Sequence, residues 1–155
     1  MRLRSLGLAA ALVPALLTPA FAATGKIIKV LPQFMDKQGR TSLSPSLYER
    51  DAYQAQLRQH PENRSGMRFY VEWKIKGGAW EPLTLVLQLR GVVRGNAPTQ
   101  LVLKQPLENT GGSFSHWAGV TLDNEAYKQL GAVTAWRATL WEGQQLLGEE
   151  RSFLW

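Results

Sequence analysis

The chain has 155 residues, no cysteine and a formal net charge of +6 at pH 7, from 18 Lys and Arg against 12 Asp and Glu. Without cysteine it can form no disulfide and no thiolate zinc site, and no lipid can be attached through a cysteine at a signal cleavage site. The length is sufficient for one domain with its own hydrophobic core.

Residues 1–22 have the three parts of a secretory signal peptide. Arg2 and Arg4 give a positive start, residues 6–17 form an apolar run, and small residues precede a cleavage site after Ala22. The run is shorter than the roughly 20 apolar residues that a membrane-spanning helix needs. We therefore expect a signal peptide at 1–22 and one soluble domain at 23–155, exported to the periplasm or outside the cell, with no transmembrane segment after cleavage.

The first element of the predicted domain is a strand. Residues 26–34 are rich in apolar residues, and Pro32 favours an edge position because proline cannot donate a backbone hydrogen bond. The buried face of this strand would carry Ile28, Val30 and Phe34.

A helix is predicted next. Residues 47–59 are good helix formers, and Pro61 marks the end of the pattern. Ser46 and Glu49 have the spacing of a capping box. We expect one inserted surface helix at about 45–60, laid over a sheet or its edge through a modest apolar stripe of Tyr48, Ala52 and Ala55.

Two runs, 67–76 and 83–90, show the strongest alternation of apolar and polar residues. Each run predicts a strand with one buried face and one solvated face. The residues expected to point inward are Phe69, Val71, Trp73, Ile75, Leu83, Leu85, Leu87 and Leu89.

The rest of the chain predicts strands at 99–104 and 113–122, a helical turn that starts with residues 123–127 and ends near Gly131, and a closing hairpin at 133–155. The hairpin turns at Glu142-Gly143-Gln144, and its last four residues, SFLW, would complete the final strand. The buried face of the strand at 113–122 would carry Phe114, Ala118, Val120 and Leu122. About seven short strands separated by turn signals favour a β-sandwich.

The order of a strand, a short turn with Asp123 and Tyr127, and a terminal hairpin resembles the last three strands of immunoglobulin-like and fibronectin type III-like domains. This resemblance covers residues 113–155. The whole chain also resembles an uncharacterised exported bacterial family with such a sandwich, and that likeness implies no activity. The implied fold is mostly β: a single immunoglobulin-like β-sandwich of about seven strands with one inserted surface helix at about 45–60.

The sequence contains no recognisable catalytic or metal-binding motif. The two histidines, His60 and His116, are far apart, and there is no phosphate loop, dinucleotide fingerprint or nucleophile elbow. Ser115 and His116 would point to opposite faces of a strand, so they cannot pair directly. We expect no enzyme, no cofactor and no metal site, and we keep a hydrolase built on His116 as the least favoured function.

The basic residues are interleaved with acidic ones, and an exported protein is separated from nucleic acid, so we expect no nucleic-acid partner. Five arginines nevertheless cluster around the predicted helix. They form either a solvated helix face or a weakly basic patch for an acidic partner of the cell envelope. These arginines are Arg40, Arg50, Arg58, Arg64 and Arg68.

Six tryptophans are the most unusual feature of the composition. Trp73 and Trp136 lie among apolar residues and are expected in the core, whereas the others are harder to bury. Exposed indole rings can anchor a protein interface or stack on sugar rings. The possible binding surface is Trp80, Trp117, Trp141 and Trp155.

Two functions follow from these residues. The first is an exported, non-catalytic domain that acts through protein contacts, for which an unpaired final strand could also accept a strand of the partner. The alternative is a carbohydrate-binding module that uses Trp80, Trp117 and Trp141. The partner would be an unknown envelope or extracellular protein, or a glycan.

Overall fold

A computed structural model describes residues 23–108 and 114–155. The predicted signal peptide therefore lies outside the described residues. Within the described ranges the chain forms seven strands and two α-helices, with a short 3-10 turn at Pro61–Asn63. In chain order the elements are β1 (Thr24–Asp36), α1 (Leu47–Gln59), β2 (Arg64–Lys76), β3 (Leu83–Val92), β4 (Pro98–Leu107), β5 (His116–Leu122), α2 (Asn124–Leu130), β6 (Ala132–Glu142) and β7 (Gln145–Arg151).

The strands form two antiparallel sheets. One has three strands in the order β1-β2-β5, and the other has four in the order β4-β3-β6-β7. The prediction of a mostly β sandwich of about seven strands with an inserted helix is confirmed, since strands account for 55% of the described residues and helices for 18%. Neither helix of the described ranges is long and apolar enough to cross a membrane.

Alternate residues of β2 and β3 fill the space between the sheets. The eight residues that the sequence predicts to point inward are all at most 3% exposed. Each of the two strands has a hydrogen-bonded neighbour on both sides for at least part of its length, and the inward residues of both strands belong to one core cluster. Burial of each large apolar side chain contributes about 1.5–3 kcal/mol to this core.

Two predictions about individual core residues are wrong. The pairing of β1 with β2 shifts between Ile27 and Lys29, and this bulge places Ile27 on the inner face. Ile27 is therefore 1% exposed, while Ile28, the residue expected inside, is 39% exposed. Phe114 precedes β5 instead of lying within it, and its side chain is 81% exposed.

Helix α1 has the predicted bounds but not the predicted contacts. Ser46 makes no side-chain hydrogen bond to the first turn, so the capping box is absent. The expected stripe is also wrong, because Tyr48 and Ala52 are exposed, whereas Gln54 and Leu57 are buried. The physical reason is that α1 lies against the edge strand β1, whose unpaired backbone groups favour a polar partner over an apolar stripe.

Helix α2 begins and ends as expected. The Asp123 side chain accepts a hydrogen bond from the backbone N–H of Ala126 at 3.0 Å, which satisfies a donor of the first turn. Gly131 follows the helix with a φ of 76°, a backbone conformation that residues with a Cβ rarely adopt.

The last four residues do not continue the final strand, so that prediction is wrong. Strand β7 ends at Arg151, and Ser152 makes two bonds to Trp136 instead: its N–H donates to the Trp136 carbonyl, and its Oγ accepts from the Trp136 N–H. Because the side-chain oxygen takes the place of the next backbone partner, regular pairing stops there. The chain then turns and brings the Trp155 ring under the Arg90 guanidinium, 4.1 Å from the ring centroid.

Candidate functional site

The four tryptophans of the predicted binding surface lie in four different places. Trp80 is 89% exposed in the loop between β2 and β3, at the end of the sandwich where β3 begins. Trp155 contacts Arg90, seven residues further along β3 and therefore at the opposite end. Trp117 lies on the outer face of the three-stranded sheet, and Trp141 on the outer face of the four-stranded sheet. The fold thus does not bring these rings together into one patch.

The surroundings of Trp117 are the most distinctive. Residues that pair across β1, β2 and β5 form three rows on the outer face of the sheet. The rows are Gln33–Arg68–Thr121, Leu31–Tyr70–Gly119 and Lys29–Glu72–Trp117.

Positive charge dominates this surface. Lys26 and Lys74 pair beyond the third row, which places four cations of the sheet on one side of the sandwich. Glu72 is the acidic residue among them, and its carboxylate accepts a hydrogen bond from the Ser115 hydroxyl at 2.7 Å. We call the following set the basic face: Lys26, Lys29, Arg50, Arg68 and Lys74.

A groove of about 500 Å³ crosses the basic face. Its apolar lining includes Leu31, Leu47 and Trp117, and the last two of these are 70% and 51% exposed. Its polar and charged lining consists of Lys29, Gln33, Thr41, Ser42, Arg50 and Tyr70. The groove therefore offers apolar contact beside cationic and hydroxyl hydrogen-bond donors.

The pKa of Tyr70 reflects the hydrogen bonds and the positive charge around the groove. Burial raises the pKa of its phenol, but hydrogen bonds with Thr41 and Arg68 and the nearby arginine charges lower it more. The net effect is a pKa below the ordinary value for tyrosine. Since positive charge favours the anionic form of a neighbouring acid, the same field favours a bound carboxylate.

One wall of the groove is the segment between β1 and α1. The Thr41 hydroxyl lies 3.0 Å from the Tyr70 hydroxyl and connects the wall to the sheet. Gln54 of α1 fixes the other side: its Nε2 donates to the carbonyls of Thr41 and Phe34 at 2.8 and 2.9 Å, and its Oε1 accepts from the Phe34 N–H at 2.8 Å. The single side-chain amide of Gln54 thus forms hydrogen bonds both with the edge strand β1, at Phe34, and with the wall segment, at Thr41.

Asp36, the last residue of β1, fixes the beginning of the same wall segment through hydrogen bonds. The residue is 4% exposed, and its carboxylate accepts hydrogen bonds from the backbone N–H groups of Gln38 and Arg40, from the Arg40 Nε at 2.8 Å and from the Tyr53 hydroxyl at 2.7 Å. Burial raises the pKa of this carboxyl, yet the hydrogen bonds together lower it below its ordinary value. Asp36 is therefore ionised at neutral pH and connects β1, the wall and α1.

The two histidines lie in different surroundings. The His116 ring lies against Trp73, with ring centroids 5.2 Å apart, and His60 pairs with Glu62 at 3.0 Å in an exposed position. Within the described ranges, no three residues of the types His, Cys, Asp and Glu are grouped so that they could hold a metal ion.

Strand β7 lies at the edge of the four-stranded sheet, and strand β1 packs closely against its middle. A Cβ added to Gly148 would lie 3.0 Å from the Gly25 carbonyl oxygen, and one added to Gly25 would lie 2.6 Å from the Leu147 Cβ. A Cβ points to a face of its sheet, so these contacts concern the face of β7, and the pairing of a partner's strand with its outer edge stays a prediction.

Sequence patterns identified part of this site. The alternation in β2 predicts that Tyr70 and Glu72 face solvent, and the same argument places Trp117 outward on β5. The contribution of Thr41 and Ser42 has no signal in the sequence, because it depends on how α1 docks. Comparisons with protein-family models, with curated proteins and with solved structures found no match to this chain.

Proposed function

We propose that this protein is an exported, non-catalytic binding domain that acts through protein contacts, and that the basic face is its contact surface. The observation that carries the proposal is the concentration of cations around two aromatic side chains, Tyr70 and Trp117, with Glu72 as the acidic residue on the same sheet face. The partner would present carboxylates interspersed with apolar side chains.

A protein partner fits this surface because of the apolar residues that surround the groove. Leu43, Leu47 and Tyr48 are 62%, 70% and 84% exposed beside a groove that already contains Trp117. Aromatic residues and arginine are enriched at the centres of protein interfaces, where a few anchors supply most of the binding energy. Complementary charge would raise the association rate and select acidic partners.

The immunoglobulin-like character of the domain belongs to the same proposal. In a constant-type immunoglobulin domain, the first, second, fourth and fifth strands share one sheet and the third, sixth and seventh share the other. Here β1, β2 and β5 share one sheet, β3, β6 and β7 share the other, and β4 pairs with β3. We infer an immunoglobulin-like order in which the fourth strand has changed sheet. Export rests on the signal-like residues 1–22.

Charge reversal on the basic face tests the contact surface. We expect Lys29→Glu combined with Arg68→Glu to weaken binding of a fluorescent peptide of alternating glutamate and leucine by about tenfold or more. Each substitution replaces a positive charge that attracts the peptide's glutamates by a negative charge that repels them. Fluorescence anisotropy at low and high salt measures this affinity. Binding by the wild-type domain should also weaken as salt is added.

The matched control is Arg94→Glu combined with Lys128→Glu, which makes the same change in net charge at exposed sites that do not line the groove. This control should bind the peptide within about twofold of the wild-type domain, because its charges are screened from the groove. Equal losses in both double variants would contradict a specific surface. Failure of the wild-type domain to bind the peptide, or tighter binding of an acidic polysaccharide such as polygalacturonate, would overturn the assignment of a protein partner.

A further inference from the structure

A second groove lies on the opposite side of the sandwich, on the outer face of the four-stranded sheet. It has a volume of about 590 Å³ and contains Trp141 at one end. We call it the Trp141 groove. Its lining residues are Thr84, Val86, Gln88, Lys104, Arg137, Thr139, Trp141 and Gly143.

The floor of the Trp141 groove is a regular array of side chains from two paired strands. Strands β3 and β6 pair Thr84 with Trp141, Val86 with Thr139, and Gln88 with Arg137. Neighbouring strands lie about 4.8 Å apart, and side chains on one face recur about every 7 Å along a strand. Hydroxyl, amide and guanidinium groups are therefore spread along a flat surface instead of being gathered around a single point.

Trp141 is fixed in its orientation by the sheet. Its Nε1–H donates to the Thr139 hydroxyl at 2.8 Å, and Thr139 is itself only 3% exposed. This bond directs the indole along the strand, over the residue two positions earlier. Because the polar edge of the ring is satisfied within the protein, the ring is left to interact through its apolar surface. Leu146, which pairs with Trp141 and is 43% exposed, extends that surface.

The charge of this groove differs from that of the basic face. The Arg137 Nη2 donates to Glu149 Oε2 at 2.6 Å across β6 and β7, and the two side chains are 33% and 30% exposed. This pair offsets the positive charge of Arg137 at the end of the groove away from Trp141 and holds the guanidinium in place. Lys104 remains as a cation at the β4 side of the groove, and the other polar lining residues offer a polyhydroxylated partner both donors and acceptors.

We propose that the Trp141 groove is a binding site for a short stretch of an uncharged polysaccharide. One sugar ring stacks on Trp141, and the hydroxyls of the following sugars exchange hydrogen bonds with Thr84, Gln88 and Arg137. An extended chain matches the array along the strands, and an aromatic ring followed by polar groups spaced along the groove gives orientation and specificity. The site is separate from the basic face, since the two lie on opposite sides of the sandwich.

Calorimetric titration of the whole mature domain with cello-, chito-, malto- and xylo-hexaose tests this proposal. We expect one of the four to bind, and we expect Trp141→Ala to reduce that affinity by about tenfold or more, which corresponds to roughly 1.4 kcal/mol. Gln88→Ala should also weaken binding, and it changes a side chain on the surface with little risk to folding. Thermal unfolding of each variant confirms that the domain remains folded.

The matched control is Phe114→Ala, which removes an exposed aromatic ring from the segment before β5, a strand of the other sheet, and should leave the affinity within about twofold. The variant with Lys29→Glu and Arg68→Glu should also bind the sugar normally, so a failure of the protein-binding proposal remains distinguishable from a failure of this one. The proposal is overturned if none of the four hexaoses binds at millimolar concentration. It is equally overturned if binding survives both Trp141→Ala and Gln88→Ala.

Discussion

Replacing Asp36 by alanine should lower the free energy of unfolding by about 2–4 kcal/mol, because several donors in a buried position lose their acceptor together. The carboxylate is 4% exposed and accepts from two backbone N–H groups, one guanidinium and one phenol. Urea unfolding followed by circular dichroism measures the change. Tyr53 would retain a partly buried hydroxyl without its partner, so α1 should also lose contact with β1.

The matched control for Asp36 is Asp51→Ala on α1. Asp51 is exposed, and its loss should change the free energy of unfolding by no more than about 0.5 kcal/mol. Both substitutions remove one negative charge from the same region, so a difference between them isolates the hydrogen bonds. Similar results for the two variants would contradict the role that we assign to Asp36.

The pH dependence of stability provides an independent check on Asp36. Its pKa in the folded protein is lower than in the unfolded chain, where aspartate titrates near about 3.9. Stability from this carboxylate is therefore fully present above that value and is lost as the pH falls through the folded pKa. The stability difference between the wild-type domain and Asp36→Asn should be constant from about pH 7 to 5 and shrink below about pH 4. A difference that instead grows in acid would contradict this account.

The features that sequence patterns predicted well are those with a strict geometric period. In β2 and β3 an apolar residue recurs at every second position, since each strand has one face on the opposite sheet and neighbours on both sides. Such a pattern specifies which residues are buried without knowledge of the partner strands. The bulge at Ile27 shows the limit of the argument, because one extra residue exchanges the faces of everything on one side of it.

The docking of α1 could not be predicted for a different reason. Besides one buried apolar residue, Leu57, its contacts are side-chain hydrogen bonds of Gln54 and Tyr53, and glutamine is a residue type that is mostly exposed. They become structural because β1 is an edge strand with unpaired backbone groups, and this depends on the strand order. A stripe of alanines and tyrosine looks more apolar in the sequence, but no apolar surface of the sheet lies opposite it.

The sequence predicted which residues of the candidate sites are exposed, but not how they are grouped in space. Exposure of Trp80 and Trp117 follows from local sequence, and both are exposed in the structure. Their separation does not follow from local sequence, because it depends on which sheet each strand joins. Trp117 and Trp141 lie on opposite sides of the sandwich only because β5 pairs with β2 and β6 pairs with β3. Two grooves of different chemistry replace the single aromatic patch that the composition suggests.

The second large effect is expected for Gln54→Ala, which should lower the free energy of unfolding by about 2–3 kcal/mol. The substitution leaves the N–H and carbonyl of Phe34 and the carbonyl of Thr41 without their amide partner. Water can hydrogen-bond to part of this edge once α1 loosens. The decrease in the free energy of unfolding should therefore be smaller than the summed cost of leaving three fully buried backbone groups without partners. Urea unfolding measures it, with Gln56→Ala, an exposed position on the same helix, as the matched control.

Hydrogen exchange at Phe34 separates this explanation from a simple loss of helix stability. In the wild-type domain the Phe34 N–H is held by the Gln54 side chain, so Gln54→Ala should accelerate its exchange by about tenfold or more while amides in the centre of β3 change only with global stability. The wall of the basic-face groove should loosen as well, because Thr41 depends on the same amide, and the affinity for the acidic peptide should fall with it. If Phe34 exchange and peptide binding were unchanged in a destabilised Gln54→Ala variant, then Gln54 would stabilise α1 alone, and the groove would be shaped by the sheet and the Thr41–Tyr70 contact without help from the helix.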